Sequence, residues 1–283
     1  MKSKIQIILF GLVVIIYFSL VNSCNNKSSD SPNSEIAVAN SYLDAVVKDL
    51  CGNEKQILTL APPGMCPGHF DISPSEVYQL CNCKVLFIFD FQKNIESVIP
   101  HTKQNLSKVC QITPSPGLCI PQTYLSVAKQ VAKTLSEENP SQKAYYQSRL
   151  TEIEKRLENL SRELTERIEK SGLKDADVIV SEHQAEFAGW LGLNVIGTFV
   201  SSDVETPKNI NQLFQKTKQH SIRYVIANKQ EGPNLANALA EHLKAEVVTF
   251  SNFPENSNDK NNHPAFDMLL HENAQALFEA AKR

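Results

Sequence analysis

Two histidines lie in loops from which they could bind one metal ion together. His69 follows the predicted strand 57–60, and His183 follows the predicted strand 177–180. Ligands of open α/β sheets bind at the carboxyl ends of strands, so the equivalent placement of a histidine in each half of the chain suggests a shared cleft. Neutral imidazole is a common ligand of transition metals, whereas a single loop histidine is more often solvated. The hypothesis therefore depends on both imidazoles facing one gap.

The elements that must position these loops alternate between strands and helices. Residues 84–89 form a nearly continuous apolar run, which is typical of a parallel strand buried on both faces. A capping pattern at Ser73, Pro74 and Glu76 predicts a sharp helix start. The other predicted strands are 36–39, 57–60, 177–180, 194–199, 222–227 and 246–250. This alternation predicts an α/β fold with two Rossmann-like lobes.

A long helix separates the two lobes. Asn139 and Pro140 resemble a helix cap and first residue, and Ser171-Gly172 ends the helix. Its apolar residues follow a 4-3-4-3-4 spacing: Tyr146, Leu150, Ile153, Leu157, Leu160 and Leu164. The narrow stripe could be a coiled-coil seam, but we expect a surface helix that lies along a globular body. We therefore predict an N-terminal lobe over 35–121, linking helices over 122–172 and a C-terminal lobe over 173–283.

The N-terminus indicates export. Lys2 and Lys4 precede an apolar run over 5–20, which fits a secretory signal over 1–23, with a single membrane anchor helix as the alternative. Val21-Asn22-Ser23-Cys24 resembles the lipobox of bacterial lipoproteins, in which the cysteine carries the lipid. The polar stretch that follows reads as a flexible tether over 24–34. We expect a protein held by lipid on the periplasmic or cell-surface side of a membrane.

Cysteine usage is consistent with an oxidising compartment. The chain has seven cysteines, and removal of Cys24 for lipidation leaves six. Six cysteines allow fifteen pairings, which sequence cannot distinguish, and some could be metal-ligating thiolates instead. Cys81 and Cys83 are spaced more tightly than a zinc-ribbon pair. Disulfides are the favoured interpretation of the following four: Cys51, Cys81, Cys83 and Cys110.

Composition and motifs exclude several functional classes. The 28 basic and 31 acidic residues give a net charge of −3, which argues against a nucleic-acid partner. No nucleophile elbow, phosphate-binding loop or His-Glu-x-x-His pattern occurs, and Glu182 beside His183 does not by itself form an acid/base pair at a substrate. We therefore expect no enzyme. The remaining histidines are interpreted as surface residues: His101, His220, His242, His263 and His271.

An ordered set of motifs resembles a known family, the metal-binding lipoproteins that deliver zinc or manganese to bacterial ABC importers. The motifs are Ala61-Pro62-Pro63-Gly64 followed by His69 and Ser73-Pro74-Ser75-Glu76, the long helix that begins at Asn139-Pro140, and Ser181-Glu182-His183-Gln184-Ala185. The resemblance extends from about Glu35 to the end of the chain. It implies two α/β lobes joined by one rigid helix, with a metal site between the lobes.

The chain departs from the family pattern at three ligand positions. The family has another histidine shortly before the helix near Pro121, where this chain has Cys119 instead. The family's second-lobe carboxylates would fall near Asn228 and near Ser251 or Asn252, and none of these is acidic. Glu231 lies close in sequence but would need a shifted loop.

Cysteine sulfur could replace the histidine and carboxylate ligands of the family pattern that this chain lacks. Cys66 lies three residues before His69, so a set of Cys66, His69, Cys119 and His183 would give a Cys₂His₂ site. Imidazole with thiolate favours zinc, and the soft sulfur also admits copper(I), while manganese is the family's other metal. The alternative is a disulfide between Cys66 and Cys119, which would leave the two histidines as a weaker site.

The predicted function is capture of a divalent transition metal, with zinc the first choice, and its delivery to an ABC permease by a monomeric lipoprotein. A lipoprotein of the same fold that has lost metal transport, acting as an adhesin or a small-molecule binder, is the alternative, because the carboxylates are missing. A thiol-redox protein that exchanges with a dithiol substrate is a third possibility.

Overall fold

The computed structural model describes residues 34–53, 55–61, 72–92, 95, 106, 108–255 and 263–282. Within these residues no helix is both long and apolar enough to cross a membrane. The described strands form two four-stranded sheets in which every pairing is parallel. The two-lobed α/β prediction is therefore confirmed.

The first sheet builds the N-terminal lobe. Its strands are β1 (Ile36–Val38), β2 (Ile57–Thr59), β3 (Val85–Phe89) and β4 (Lys108–Ile112), in the order β2-β1-β3-β4. Helices α1 (Ser41–Cys51) and α2 (Pro74–Leu80) connect them, and α2 has the predicted capping box at Ser73. The sequence pattern missed β4 because this edge strand alternates polar and apolar residues and is only partly buried.

The second sheet builds the C-terminal lobe with the same topology. Its strands are β5 (Asp177–Ser181), β6 (Asn194–Phe199), β7 (Tyr224–Asn228) and β8 (Glu246–Phe250), in the order β6-β5-β7-β8. The helices between and after these strands, labelled α5 to α8, are Ala185–Trp190, Pro207–Thr217, Asn234–Leu243 and Ala265–Ala280. Strands β5 and β7 are neighbours, so the turns after them emerge side by side.

Along the chain, two long helices follow the strands of the first sheet and precede those of the second. Helix α3 (Pro121–Glu138) leads through a short 3₁₀ turn, Pro140–Gln142, into α4 (Lys143–Ser171). The predicted cap at Asn139 therefore starts a 3₁₀ turn rather than the α-helix itself. All six residues of the apolar stripe are buried in the main hydrophobic core, as the surface-helix interpretation requires. Gly172 ends α4 in the left-handed conformation.

A buried ionic cluster ties α4 to helices from both lobes. The Arg156 guanidinium donates to both carboxylate oxygens of Asp49 on α1, at 3.1 and 2.5 Å, and Tyr124 on α3 donates to the same carboxylate at 2.8 Å. Arg156 Nε also lies 3.1 Å from Asp267 Oδ1 on α8, as an ion pair without an aligned hydrogen bond. Asp49 thus accepts three hydrogen bonds in this cluster, whereas Asp267 contacts it only through the ion pair with Arg156.

Burial of Asp267 raises the pKa of its carboxyl to about 6, against the opposing effect of Arg156. Asp49 adds to the rise by repulsion, while His263 works against it. A carboxyl whose pKa is higher in the folded than in the unfolded chain binds its proton preferentially in the folded state. Its contribution to stability is therefore greatest in acid and is lost as the pH rises through about 6.

We predict that Asp267→Asn removes this pH dependence. Relative to wild type, the variant should gain about 2 kcal/mol in the free energy of unfolding between pH 4.5 and pH 7.5, because the wild-type carboxyl loses its proton over this range in a largely buried site and asparagine does not ionise. Urea titrations at several pH values measure this difference. Exposed Glu241→Gln is the matched control. Parallel pH profiles for wild type and Asp267→Asn would contradict the prediction.

Candidate metal centre between the lobes

His183 and Glu231 face each other at the carboxyl edge of the second sheet. His183 lies in a 3₁₀ turn, Glu182–Gln184, directly after β5, and Glu231 ends a 3₁₀ turn, Lys229–Glu231, directly after β7. His183 Nε2 is 3.4 Å from Glu231 Oε1. The His183 side chain is 65% exposed and the Glu231 side chain 14% exposed. An accessible imidazole beside a fixed carboxylate is half of a zinc site of the His/carboxylate kind.

Hydrogen bonds hold the two turns together. The Ser181 hydroxyl donates to Glu231 Oε2 at 2.7 Å, which leaves Oε1 directed at His183. Beneath this pair, the Gln184 amide donates to Asn228 Oδ1 at 3.2 Å, and both of these side chains are buried. Oriented and anchored carboxylates are what metal sites need around their ligands. Asn228, at the position of one family carboxylate, is therefore a structural amide.

The turn after β8 completes this edge with neutral groups. Gln230 uses its amide twice: it donates to Ser251 Oγ at 3.0 Å and accepts from the Asn252 backbone at 3.2 Å. Asn273 on α8 closes the turn by bonding both the amide and the carbonyl of Ser251, at 2.8 and 2.9 Å. Neither Ser251 nor Asn252, near which the resemblance predicts the family's last carboxylate, is acidic, and both are held by hydrogen bonds.

Cys119 reaches this turn from the N-terminal lobe. Its side chain is fully buried, and Sγ donates to the Ser251 carbonyl at 3.1 Å and to Asn252 Oδ1 at 3.7 Å. Burial raises the pKa of the Cys119 thiol, while a hydrogen bond from Asn273 opposes the rise. In this structure Cys119 is a protonated thiol that joins the lobes, and it would have to lose its proton to bind a metal.

The loop that carries Cys119 approaches the second lobe closely at Gly117. Gly117 has a φ of +81°, and a Cβ added there would lie 2.8 Å from Glu186 Cβ on α5 and 2.7 Å from Ile120 Cδ1. Both the left-handed backbone and the lack of space require glycine. The approach of the Cys119 loop to the C-terminal lobe is therefore sterically defined.

The remaining residues of the predicted site lie outside the described part of the chain. These are His69, Cys66 and the proposed lipidation site Cys24, and the motif 62–68 lies outside it as well. Among the described residues no three or more His, Cys, Asp or Glu side chains converge as a metal site. The structure thus brings His183 and Glu231 together, and Cys119 contacts the neighbouring Asn252 through its sulfur.

The predicted disulfides among Cys51, Cys81, Cys83 and Cys110 are wrong for this structure. Within the described part of the chain, none of these four cysteines forms a disulfide, and neither does Cys119. Cys83 donates instead to the Ser34 carbonyl at 3.1 Å, and Cys81 donates to the Val77 carbonyl at 3.4 Å. Burial is the main cause that raises the thiol pKa of Cys51 and Cys110, and it raises that of Cys83 to about 11. Reactive thiols have a lowered pKa, so Cys51, Cys83 and Cys110 do not fit the thiol-redox alternative.

Two histidines interpreted as isolated surface residues have acidic neighbours. His220 Nδ1 is 3.0 Å from Asp177 Oδ2, and Asp177 also accepts from Asn194 at 2.6 Å. His271 lies 3.9 Å from Glu163. Asp177 begins β5 whereas His183 follows its end, so the His220 pair lies at the opposite edge of the sheet.

Glu231 is the carboxylate that, from the sequence alone, lies close to Asn228 but would need a shifted loop to reach the site. It lies three positions beyond the strand-end Asn228, and the 3₁₀ turn supplies the shift that the sequence pattern did not predict. The available signal was the Gly232-Pro233 pair directly after it, which marks a tight turn.

Comparison with known proteins decides the family. The sequence model of the periplasmic component A of the zinc-uptake complex, ZnuA, matches residues 119–280, more than half of the chain. The chain belongs to the ZnuA family. This confirms the resemblance drawn from the motifs. The family consists of solute-binding proteins, which also bears out the expectation that the chain is not an enzyme.

Individual relatives of the ZnuA family are distant. The chain is 21% identical over 198 residues to the metal ABC transporter substrate-binding lipoprotein SloC of Streptococcus mutans, covering 61% of this chain and 65% of SloC, just under two thirds of its length. It is 19% identical over 247 residues to the manganese ABC transporter substrate-binding lipoprotein PsaA of Streptococcus anginosus, covering 75% of this chain and 79% of PsaA. A crystal structure of ZnuA superposes with a TM-score of 0.70 at 19% identity, covering 87% of this chain and 98% of that one.

We predict that Gly117→Ala destabilises the protein by about 1–3 kcal/mol, because it combines a strained backbone with overpacking between the lobes. Gly189→Ala is the matched control: Gly189 lies in α5 with nothing within 4 Å of an added Cβ. The control should be neutral or more stable by up to about 1 kcal/mol. Thermal unfolding of both variants measures the difference, and equal melting temperatures would contradict the prediction.

We also predict that the described cysteines are reduced and differ in reactivity. Under non-reducing, denaturing conditions, alkylation followed by mass spectrometry should modify every described cysteine: Cys51, Cys81, Cys83, Cys110 and Cys119. In the native protein Cys119 and Cys83 should react slowest, because both side chains are fully buried and burial raises the pKa of both thiols. Recovery of a disulfide-linked peptide containing any of these residues would be the contrary result.

Proposed function

We propose that the chain is an exported lipoprotein that captures a divalent transition metal, zinc first of all, between its two lobes and delivers it to an ABC permease. The observation that carries the proposal is the contact between His183 and Glu231, whose nitrogen and oxygen lie 3.4 Å apart at the carboxyl edge of the second sheet. Family membership supports the same role, and the names of SloC and PsaA link that role to lipoproteins of metal transporters.

The proposed ligands come from both lobes. His183 and Glu231 supply an imidazole nitrogen and a carboxylate oxygen, and His69 supplies the second imidazole from the loop after β2. Cys119 and Cys66 stay as the predicted sulfur ligands. For Cys119 this requires the metal to displace the thiol proton and the hydrogen bond to Ser251. Under the proposal a short rearrangement of this loop accompanies metal capture.

Zinc is favoured over manganese by the chemistry of these donors. Two imidazoles, one carboxylate and a neighbouring thiol suit zinc, which accepts nitrogen, oxygen and sulfur in a tetrahedral site. Manganese prefers carboxylates, carbonyls and water, and the chain has no acidic residue where the resemblance predicts the family carboxylates, near Asn228 and near Ser251 or Asn252. The sulfur of Cys119 makes copper the second candidate.

The lipid anchor and domain limits complete the proposal. Cys24 is the proposed lipidation site after removal of the signal segment 1–23, and residues 24–34 tether the binding protein to the membrane. The lobes span 35–121 and 173–283, with linking helices over 122–172. The anchor would then hold the protein, as a monomer, at the membrane next to its permease.

We predict that zinc binding depends on the His183–Glu231 pair. Competition with a chromophoric chelator should give about a tenfold or larger loss of zinc affinity for His183→Ala and for Glu231→Gln, because each removes one ligand. His69→Ala should behave in the same way. His220→Ala is the control, since this histidine also pairs with an aspartate but at the opposite edge of the sheet.

Wild-type affinity in His183→Ala would refute the proposed site. A wild-type protein that binds neither zinc, manganese nor copper would refute metal transport and favour the alternative of an adhesin or small-molecule binder with the same fold. Manganese binding tighter than zinc binding would keep the site and reverse the choice of metal.

A further inference from the structure

The Asn252 side chain joins the turn that carries His183 to the loop that carries Cys119. It is 6% exposed, and its amide Nδ2 donates to the backbone carbonyl of His183 at 3.3 Å. Its Oδ1 accepts from Cys119 Sγ at 3.7 Å. Its backbone N–H donates to Gln230, the residue before Glu231, at 3.2 Å. Three segments that carry proposed ligands therefore meet at one residue.

The chemistry of an amide fits this position and that of a carboxylate does not. The His183 carbonyl requires a donor and the Cys119 thiol requires an acceptor, and an asparagine side chain offers both at once. An ionised aspartate has no proton to donate to the carbonyl. Asn252 therefore donates to the His183 carbonyl, and it gives the Cys119 thiol, which also donates to the Ser251 carbonyl, a second and longer acceptor.

The Asn252 side chain makes one hydrogen bond to the protein at each end of its amide, from Nδ2 and to Oδ1. Both ends of the side chain are used in binding protein groups, and its neighbour Ser251 is fixed by Asn273 and Gln230. A ligand must be held within about 0.5 Å of its productive position, and residues packed behind the ligands do this. Asn252 has the location and bonding of such a residue.

We propose that Asn252 is a positioning residue for metal binding, which fixes the His183 turn and the Cys119 loop relative to Glu231 without contacting the metal. This inference rests on the proposed function. It assigns a specific role to a position at which the family resemblance suggests a ligand. The chain thus uses a neutral amide to organise the two lobes around the site.

The test is Asn252→Ala in the full chain, with exposed Asn237→Ala on α7 as the matched control. Zinc affinity, measured by chelator competition, should fall about 10- to 100-fold in Asn252→Ala and stay unchanged in Asn237→Ala. If Asn252→Ala does not fold, Asn252→Ser is measured instead, since its shorter hydroxyl cannot reach both the His183 carbonyl and the Cys119 sulfur.

Two further measurements separate positioning from a general loss of stability. With cobalt at saturation, the visible absorption spectrum should change in Asn252→Ala, because the ligand geometry of the bound state differs; a purely structural role would leave the bound-state spectrum unaltered. Alkylation of Cys119 in the metal-free protein should be faster by about tenfold or more, because loss of the amide opens the packing around a buried thiol.

Wild-type zinc affinity and an unchanged cobalt spectrum in Asn252→Ala would overturn the positioning role while the proposed function stands. Weaker binding with an unchanged cobalt spectrum would also overturn it, since the residue would then act only through stability. A wild-type protein without metal binding would overturn the proposed function, and the positioning role with it.

Discussion

Parallel pairing of β5 with β7 is the constraint on which the candidate site depends. Because the two strands are neighbours and run in the same direction, the turns after them emerge at the same edge, and His183 meets Glu231 although the two residues are far apart in sequence. Ser181 and the buried Gln184–Asn228 hydrogen bond then fix the pair. Without this register the imidazole and the carboxylate would be two unrelated surface groups.

The two lobes are held together by different kinds of contact at the site and away from it. At the cleft the contacts are neutral: the Cys119 thiol, the Asn252 amide and the close approach at Gly117. Along the linking helix they are ionic and aromatic, with Arg156 between Asp49 and Asp267 and Tyr124 stacked on Phe266 at 4.0 Å. A long helix fastened to both lobes limits their relative motion, so metal capture has to rely on movement of the loops.

Much of the fold follows from the sequence because it rests on strong local signals. The all-buried strand at β3, the capping box at Ser73 and the apolar stripe of α4 each have a pattern that few other structures share. Strand β4 was not predicted, because an edge strand needs no continuous apolar run. The site was harder to predict. His183 could be found from the strand ends, but the 3₁₀ turn that brings Glu231 to it, and the absence of disulfides among the described cysteines, depend on tertiary contacts.

The central claim is that a metal ion sits between the lobes on His183 and Glu231, and anomalous diffraction at the zinc absorption edge from zinc-soaked crystals tests it most directly. The account predicts one strong peak about 2.0–2.2 Å from His183 Nε2 and from a Glu231 oxygen, with further ligands from the N-terminal lobe. A peak at the His220–Asp177 pair instead, or no peak in the cleft at saturating zinc, would contradict it.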